Sequence, residues 1–359
     1  MNVPQMVDRL QADSDFRKHV TAWRTIPARP PRYAGFPQAL NPRLVDALQK
    51  KGIANLYTHQ RQAVEAALRG EDICVVTPTA SGKTLCYNLP VLSRLMENPK
   101  ARALYLFPTK ALSQDQVHEL KTTIDELEVK IGTYTFDGDT PASARKAVRS
   151  AGHIVVTNPD MLHAGILPHH TIWIRLFENL EYIIIDEVHH YRGVFGSHLA
   201  NVLRRLRRLC QFYGSDPKFI CCSATIANPK EVAEKIIEKP VTLIDDNGAP
   251  AGEKHFVFFN PPVVNAELGI RKSSVKEAAR VAMQFLTRNV QSIVFARSRL
   301  RVEILTTYLK EAVRRQGKDH NLVRGYRGGY LPTERRAIEK GLRAGEIMAV
   351  ISTNALELG

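Results

Sequence analysis

Asp72-Ile73-Cys74-Val75-Val76-Thr77-Pro78-Thr79-Ala80-Ser81-Gly82-Lys83-Thr84, running on into LCYNLPVLSRL, is the stretch that decides the fold. Four consecutive apolar residues, with no polar alternation, are what a strand buried on both faces of a parallel sheet looks like. A loop of small residues follows, and then a helical pattern. Strand, tight loop and helix start together aim backbone N–H groups and the positive end of a helix at a phosphate. In such a cradle Lys83 would reach the β- and γ-phosphates of a nucleotide, and the Thr84 hydroxyl would ligate Mg²⁺. The strict pattern asks for Gly five positions before Gly82, where this chain has Thr77. On this segment alone, a small-residue loop that merely precedes a helix remains an alternative.

Outward from this stretch the same pattern recurs. DICVVTP, ALYLFP, GTYTF, HIVVTNP, YIIIDE and KFICCSAT are short apolar runs separated by helical stretches, and a second series follows with HFVFFNPP, QSIVFARS and IMAVISTN. This predicts an α/β chain with mostly parallel sheets. Between the series, the hydrophilic DDNGAPAGEK of residues 245–254 reads as a break. Upstream, Thr58 to Arg69 is predicted as a helix closed by Gly70, and Leu44, Ala47 and Leu48 mark a short amphipathic helix stopped at Gly52. IPARPPRYAGFP reads as a linker, and residues 1–23 as a polar, partly helical arm.

At 359 residues the chain is long enough for about two domains, and its 44% hydrophobic and 24% charged composition is that of a globular protein, not a disordered or collagen-like one. The 50 Lys+Arg against 36 Asp+Glu leave +14, which favours polyanionic partners such as nucleic acid. Most of that excess lies between Arg271 and Glu346, where 18 basic residues face 7 acidic ones. Cys74, Cys86, Cys210, Cys221 and Cys222 have no C-x-x-C spacing, so they read as buried small hydrophobes of a reducing cytoplasm. Neither a secretory leader nor a run of about 18 apolar residues appears, so no membrane role is expected.

A second chemical signal stands after Tyr182 to Ile185. Asp186 and Glu187 sit at the carboxyl end of a buried strand, where open α/β sheets bind ligands. Asp186 would hold Mg²⁺, and Glu187 would polarise an attacking water. Taken alone, such carboxylates could equally be solvated caps. In the following helix Leu199, Val202, Leu203, Leu206 and Leu209 form one side, leaving Arg204, Arg205, Arg207 and Arg208 outward, either as a solvated face or as a DNA contact. The pairs His169-His170 and His189-His190 lack any H-E-x-x-H or Cys/His spacing for a metal.

In their order these segments resemble the superfamily 2 helicases. Asp186-Glu187-Val188-His189 resembles the DExH box, and Ser223-Ala224-Thr225 resembles the S-A-T motif that couples the nucleotide site to the nucleic-acid track. Gln60, in Leu56-Tyr57-Thr58-His59-Gln60, resembles the Q motif that reads the adenine edge. Pro108-Thr109-Lys110-Ala111-Leu112 resembles motif Ia, and Thr157-Asn158-Pro159-Asp160 resembles motif Ib. Val294-Phe295-Ala296-Arg297-Ser298-Arg299 resembles motif IV, and Ser352 to Gly359 resembles the start of motif V. More narrowly, Glu187 to His198 resembles the MrfA and Hrq type of DNA-repair helicases, relatives of the RecQ group.

The resemblance implies two RecA-like domains, the second incomplete, with ATP and Mg²⁺ as cofactors and a 3′-to-5′ DNA helicase activity driven by ATP hydrolysis. Expected boundaries are 1–54 for the arm, linker and short helix, 55–245 for the ATP-binding domain, 246–254 for a linker and 255–359 for the second domain. Nucleotide contacts fall on Gln60, Thr79, Ala80, Ser81, Gly82, Lys83, Thr84 and Asp186. Catalysis falls on Lys83, Asp186, Glu187 and His189, with His189 coupling to Ser223, Ala224 and Thr225. Thr109, Lys110, Thr157, Asp160, Arg297 and Thr353 are expected on the nucleic acid, with single-stranded DNA and duplex junctions expected over RNA. The family's motif VI, Q-x-x-G-R-x-G-R, does not occur up to Gly359. An ATP-binding, nucleic-acid-binding module without turnover is therefore the rival expectation.

Overall fold

The computed structural model describes residues 2–356, without the side chains at 110, 111, 114, 115 and 332. Glu357, Leu358 and Gly359, the end of the segment resembling motif V, lie outside the described residues. Two compact units are present: Ala28–Gly252, and Met1–Pro27 together with Glu253–Gly359.

In the Ala28–Gly252 unit seven strands form one all-parallel sheet, in the order Thr242–Ile244, Ile73–Val76, Lys218–Ser223, Leu180–Ile185, Arg102–Leu106, Ile154–Thr157 and Thr133–Thr135. All six apolar runs expected as strands in this half are strands, and Thr242–Ile244 adds an edge strand that the pattern did not announce. Successive residues point to opposite faces of a strand, so the sheet carries two cores. Ile73, Val75, Tyr105 and Ile184 pack on one side, while Cys74, Val76, Leu104 and Ile185 pack on the other.

Helix Pro42–Lys50 buries Leu44, Ala47 and Leu48, and Gly193–Phe212 buries Leu199, Val202, Leu203 and Leu206. All five cysteines are free and buried. Among the described residues no helix is long and apolar enough to cross a membrane.

In the other unit Ser292–Phe295, Ala349–Ser352 and Val323–Tyr326 form a parallel three-stranded sheet with Ala349–Ser352 in the middle. HFVFFNPP, expected to open the second parallel series, does not join it. Strand Lys254–Phe259 pairs antiparallel with Val20–Ile26 from the N-terminal arm. Its burial alternates along the strand, because this ribbon has one covered face: Val20, Trp23, Val257 and Phe259 pack against Met6, Leu10, Phe16 and Phe285. The arm, read from sequence as polar and partly helical, is thus two helices, Val3–Ala12 and Ser14–Arg17, followed by a strand.

Candidate nucleotide site

Parallel pairing puts the carboxyl ends of neighbouring strands side by side. Ile73–Val76 neighbours Lys218–Ser223, which neighbours Leu180–Ile185. The loop from Thr77, the Ser223-Ala224-Thr225 segment and the Asp186-Glu187 pair therefore leave the sheet at one edge.

The phosphate loop is shaped by its own bonds. Ala80 has φ +61° and Gly82 φ +79°, and Gly82 caps helix Lys83–Glu97 in the left-handed conformation. Left-handed residues turn successive N–H groups into one concavity. The buried Thr77 and Ser81 hydroxyls lie 2.6 Å apart, whereas Thr79 and Ala80 are exposed at the tip. Lys83 folds back over the loop, its Nζ donating to the carbonyls of Thr77 at 2.9 Å and Pro78 at 3.1 Å.

Gln60 stands behind this loop, 3% exposed. Its Oε1 accepts from the Tyr57 N–H at 2.9 Å, and its Nε2 donates to the Gly82 carbonyl at 3.0 Å. Both ends of the amide read from sequence as an adenine contact are thus engaged in bracing the loop.

His59 is a second brace, which sequence reading missed. It is fully buried. Its Nδ1 accepts from the Gly248 N–H at 3.2 Å, so its Nε2 carries the proton and donates to the Ser81 carbonyl at 3.1 Å. Gly248 must be glycine here, since a Cβ would lie 2.3 Å from Thr58 Oγ1. Burial pushes the His59 imidazole below the ordinary histidine range, opposed by its bond to Ser81. Below about pH 6.5 the unfolded chain therefore binds a proton that the folded chain refuses, and stability present above that pH is lost as pH falls. Thermal melts from pH 7.5 to 5.5 are expected to show this decline, with a shallower pH slope in His59→Gln than in the wild type. Parallel slopes would remove His59 as the cause.

The carboxylates occupy the next strand end. Asp186 is 8% exposed, and burial, reinforced by the Glu187 charge, raises its carboxyl to about 6. Glu187 has φ +53°, a strained backbone for a non-glycine residue of the kind that clusters at functional sites, and its N–H donates to Asp186 Oδ1 at 2.8 Å. Burial also raises the Glu187 carboxyl. The Tyr87 hydroxyl lies 3.3 Å from Asp186 Oδ2 and 3.0 Å from Gln116 Oε1, and Thr84 Oγ1 donates to the same Gln116 oxygen at 3.4 Å. Thr84, Asp186 and their neighbours thus form an oxygen-rich set that suits a hard cation such as Mg²⁺. Tyr87 and Gln116 are further site residues absent from the sequence reading; Tyr87, three positions after Thr84, falls on the same helix face.

His189 connects the edge to the S-A-T segment. Its Nδ1 accepts from the Ala224 N–H at 3.2 Å and lies 3.5 Å from Ser223 Oγ. Glu187 Oε2 is 3.3 Å away. Burial, with His190 beside it, lowers the imidazole to about 4, leaving it neutral. Thr225 is exposed.

The residues expected on nucleic acid are more dispersed. Thr109 caps helix Lys110–Glu126, accepting from the Leu112 N–H at 3.4 Å, and the Lys110 side chain lies outside the described residues. Thr157 is buried, its hydroxyl donating to the Phe136 carbonyl at 2.6 Å. Asp160 is exposed, 3.9 Å from His198 Nε2. In the other unit Arg297 is exposed, and Thr353 Oγ1 accepts from the Ala355 N–H at 3.3 Å. These two follow strands Ser292–Phe295 and Ala349–Ser352, which are direct neighbours. Among the described residues no cluster of three or more His, Cys, Asp or Glu side chains is placed to hold a metal.

Residues 57–232 match the DEAD/DEAH box helicase family. The chain is 58% identical to the ATP-dependent helicase YprA of Bacillus subtilis over 98% of its own length and 47% of the relative's. It is 37% identical to the ATP-dependent helicase HRQ1 of Saccharomyces cerevisiae over 99% of its own length and 34% of that protein's. A crystal structure of the DUF1998 helicase MrfA bound to DNA and AMPPNP superposes with a TM-score of 0.95 at 56% identity, covering 100% of this chain and 49% of that one. The chain spans about half the length, or less, of these relatives. Fold, edge geometry and sequence kinship agree: the chain belongs to the superfamily 2 helicases, in the group of MrfA and Hrq1.

Proposed function

We propose that the chain is the motor part of an ATP-dependent DNA helicase, moving 3′ to 5′ and serving DNA repair. The observation that carries the ATPase reading is the edge at which the left-handed phosphate loop, Lys83, the Asp186-Glu187 pair and the His189 link to Ala224 converge. DNA as the track is supported by the MrfA–DNA structures and the basic excess of residues 271–346. Polarity and the repair role rest on kinship with the MrfA and Hrq type.

In this reading the loop N–H groups and Lys83 bind the ATP phosphates, with Lys83 exchanging two carbonyls for phosphate oxygens. Thr84 and Asp186 would hold Mg²⁺, which neutralises charge on the transferring phosphoryl group. Glu187 orients and deprotonates the attacking water. His189, neutral and bonded to the Ala224 N–H, reports the state of that carboxylate to the S-A-T segment. Thr109, Lys110, Arg297 and Thr353 hold the strand backbone, so base sequence matters little. Thr157, its hydroxyl already donated, and the exposed Asp160 shape the loop after strand Ile154–Thr157, in the same unit as Thr109 and Lys110.

The test uses the full-length protein on forked DNA with a single-stranded 3′ tail. DNA-stimulated ATPase and unwinding are expected for the wild type, and Lys83→Ala should weaken nucleotide-analogue binding at least tenfold and stop unwinding. Unwinding that persists in Lys83→Ala, or a wild type whose ATPase ignores DNA, would contradict the proposal.

A further inference from the structure

The parallel sheet has a second edge, where the strands begin, and there the Ala28–Gly252 unit carries a basic hollow that the nucleotide site does not use. Asp216 and Pro217 lead into strand Lys218–Ser223, and Glu238 and Lys239 precede Thr242–Ile244. Together with the last three turns of helix Gly193–Phe212 they enclose an open cavity of about 870 Å³ lined by Arg204, Arg205, Arg207, Arg208 and Lys239.

The charges within it do not cancel. Glu238 pairs with Arg204, and Asp216 with Lys239 at 3.0 Å. Arg207 donates to the Ile237 and Glu238 carbonyls at 3.1 and 3.4 Å. Arg205 and Arg208 have no carboxylate partner among the described residues. Four arginines within five positions of one helix repel one another, so an incoming polyanion relieves a strain already present. Guanidinium groups are the side chains suited to bidentate grip on phosphate.

Phe212 gives the surface a second character. It is 75% exposed, and at seven positions from Arg205 and four from Arg208 it continues their stripe along the helix. An exposed ring beside unpaired arginines is the combination that stacks a base while the backbone is held.

The geometry points to an accessory binding surface for the sugar-phosphate backbone of DNA on Arg205, Arg208 and Phe212, at the edge of the sheet opposite the nucleotide. At 1.5 Å per residue, Arg205 and Arg208 stand about 20 Å along their helix from its start beside the Asp186-Glu187 pair. At the 3.4 Å rise of each strand in a duplex, that is about six nucleotides. The surface therefore serves DNA extending past the segment that the motif loops hold. This rests on the reading of the chain as a DNA motor.

The experiment measures fluorescence anisotropy of 8- and 30-nucleotide single strands across a salt series, with full-length wild type, Arg205→Gln/Arg208→Gln and Phe212→Ala. The double variant is expected to bind the 30-mer about five- to tenfold more weakly, with the slope of log affinity against log salt reduced by about 1.4, the release from two phosphates. Phe212→Ala should weaken the 30-mer without changing the slope. Affinity for the 8-mer and ATPase at saturating 8-mer should remain those of the wild type. An unchanged 30-mer affinity and slope, or equal losses on both lengths, would overturn the inference. So would polyglutamate binding that the double variant loses while DNA binding stays intact, which would assign the hollow to an acidic protein partner. A wild type that binds neither strand would refute the DNA-motor reading itself.

Discussion

Glu187→Gln is expected to slow ATP hydrolysis by about 10²–10⁴-fold, the usual contribution of a positioned general base, while affinity for a nucleotide analogue stays within about threefold of the wild type. The amide keeps the volume and backbone bond of the carboxylate but cannot take a proton from water. Glu187 is aimed by its own φ of +53° and by the bond from its N–H to Asp186, neither of which the substitution removes. Binding, by contrast, is assigned to the loop and Lys83. Single-turnover hydrolysis and analogue titration on the full-length protein separate the two quantities. Equal losses in both would mean that Glu187 holds the nucleotide and does not activate water.

The second large effect is expected from Gly82→Ala. A left-handed backbone costs a non-glycine residue about 1–2 kcal/mol, and at Gly82 the new Cβ would also lie 2.5 Å from Gln60 Nε2. Gln60 is pinned at both ends, by the Tyr57 N–H and the Gly82 carbonyl, so it has no free direction in which to withdraw. Gly70 supplies the comparison. Its φ is also +79°, but the nearest atom to an added Cβ is 4.0 Å away. Gly70→Ala should therefore lose about 1 kcal/mol of stability and keep nucleotide affinity. Gly82→Ala should lose more, about 2–3 kcal/mol, and bind nucleotide analogue at least tenfold more weakly. Denaturant melts and titrations of both variants decide, and identical behaviour would show that Gln60 does not crowd the loop.

How far the fold could be read depended on how strands are buried. Runs such as Ile73–Val76 and Ile154–Thr157 are covered on both faces and announce themselves by unbroken apolarity. Val323–Tyr326 hides because Arg324 and Gly325 interrupt it, although it pairs fully with Ala349–Ser352. HFVFF misleads in the opposite sense: it is apolar after His255, yet Phe256 and Phe258 face outward at 51% and 57% exposure. Its partner Val20–Ile26 mixes Thr and Arg with Val and Trp, and its pairing spans more than 200 residues, so no local pattern could reveal it.

At the site, the sequence points to Lys83, Asp186, Glu187 and His189 because each lies in the segment that follows a buried strand. It does not point to His59 and Tyr87, since what they do depends on the Gly248 N–H and on Asp186, 189 and 99 residues away. Gln60 was singled out, but only the structure displays its amide bracing the loop.

The pairing of Val20–Ile26 with Lys254–Phe259 also dictates an order of events during synthesis. The Ala28–Gly252 unit lies wholly between the two strands, so it leaves the ribosome complete while the arm still lacks its partner. At about 5–20 residues per second the arm waits roughly 10–50 s, with Met6, Leu10, Phe16 and Trp23 denied the cluster that will bury them. During that interval the nascent chain presents an unpaired strand and the apolar side of two short helices to any chaperone near the exit tunnel. The unit that holds Val20–Ile26 can therefore fold only after the Ala28–Gly252 unit, although this strand is made before it.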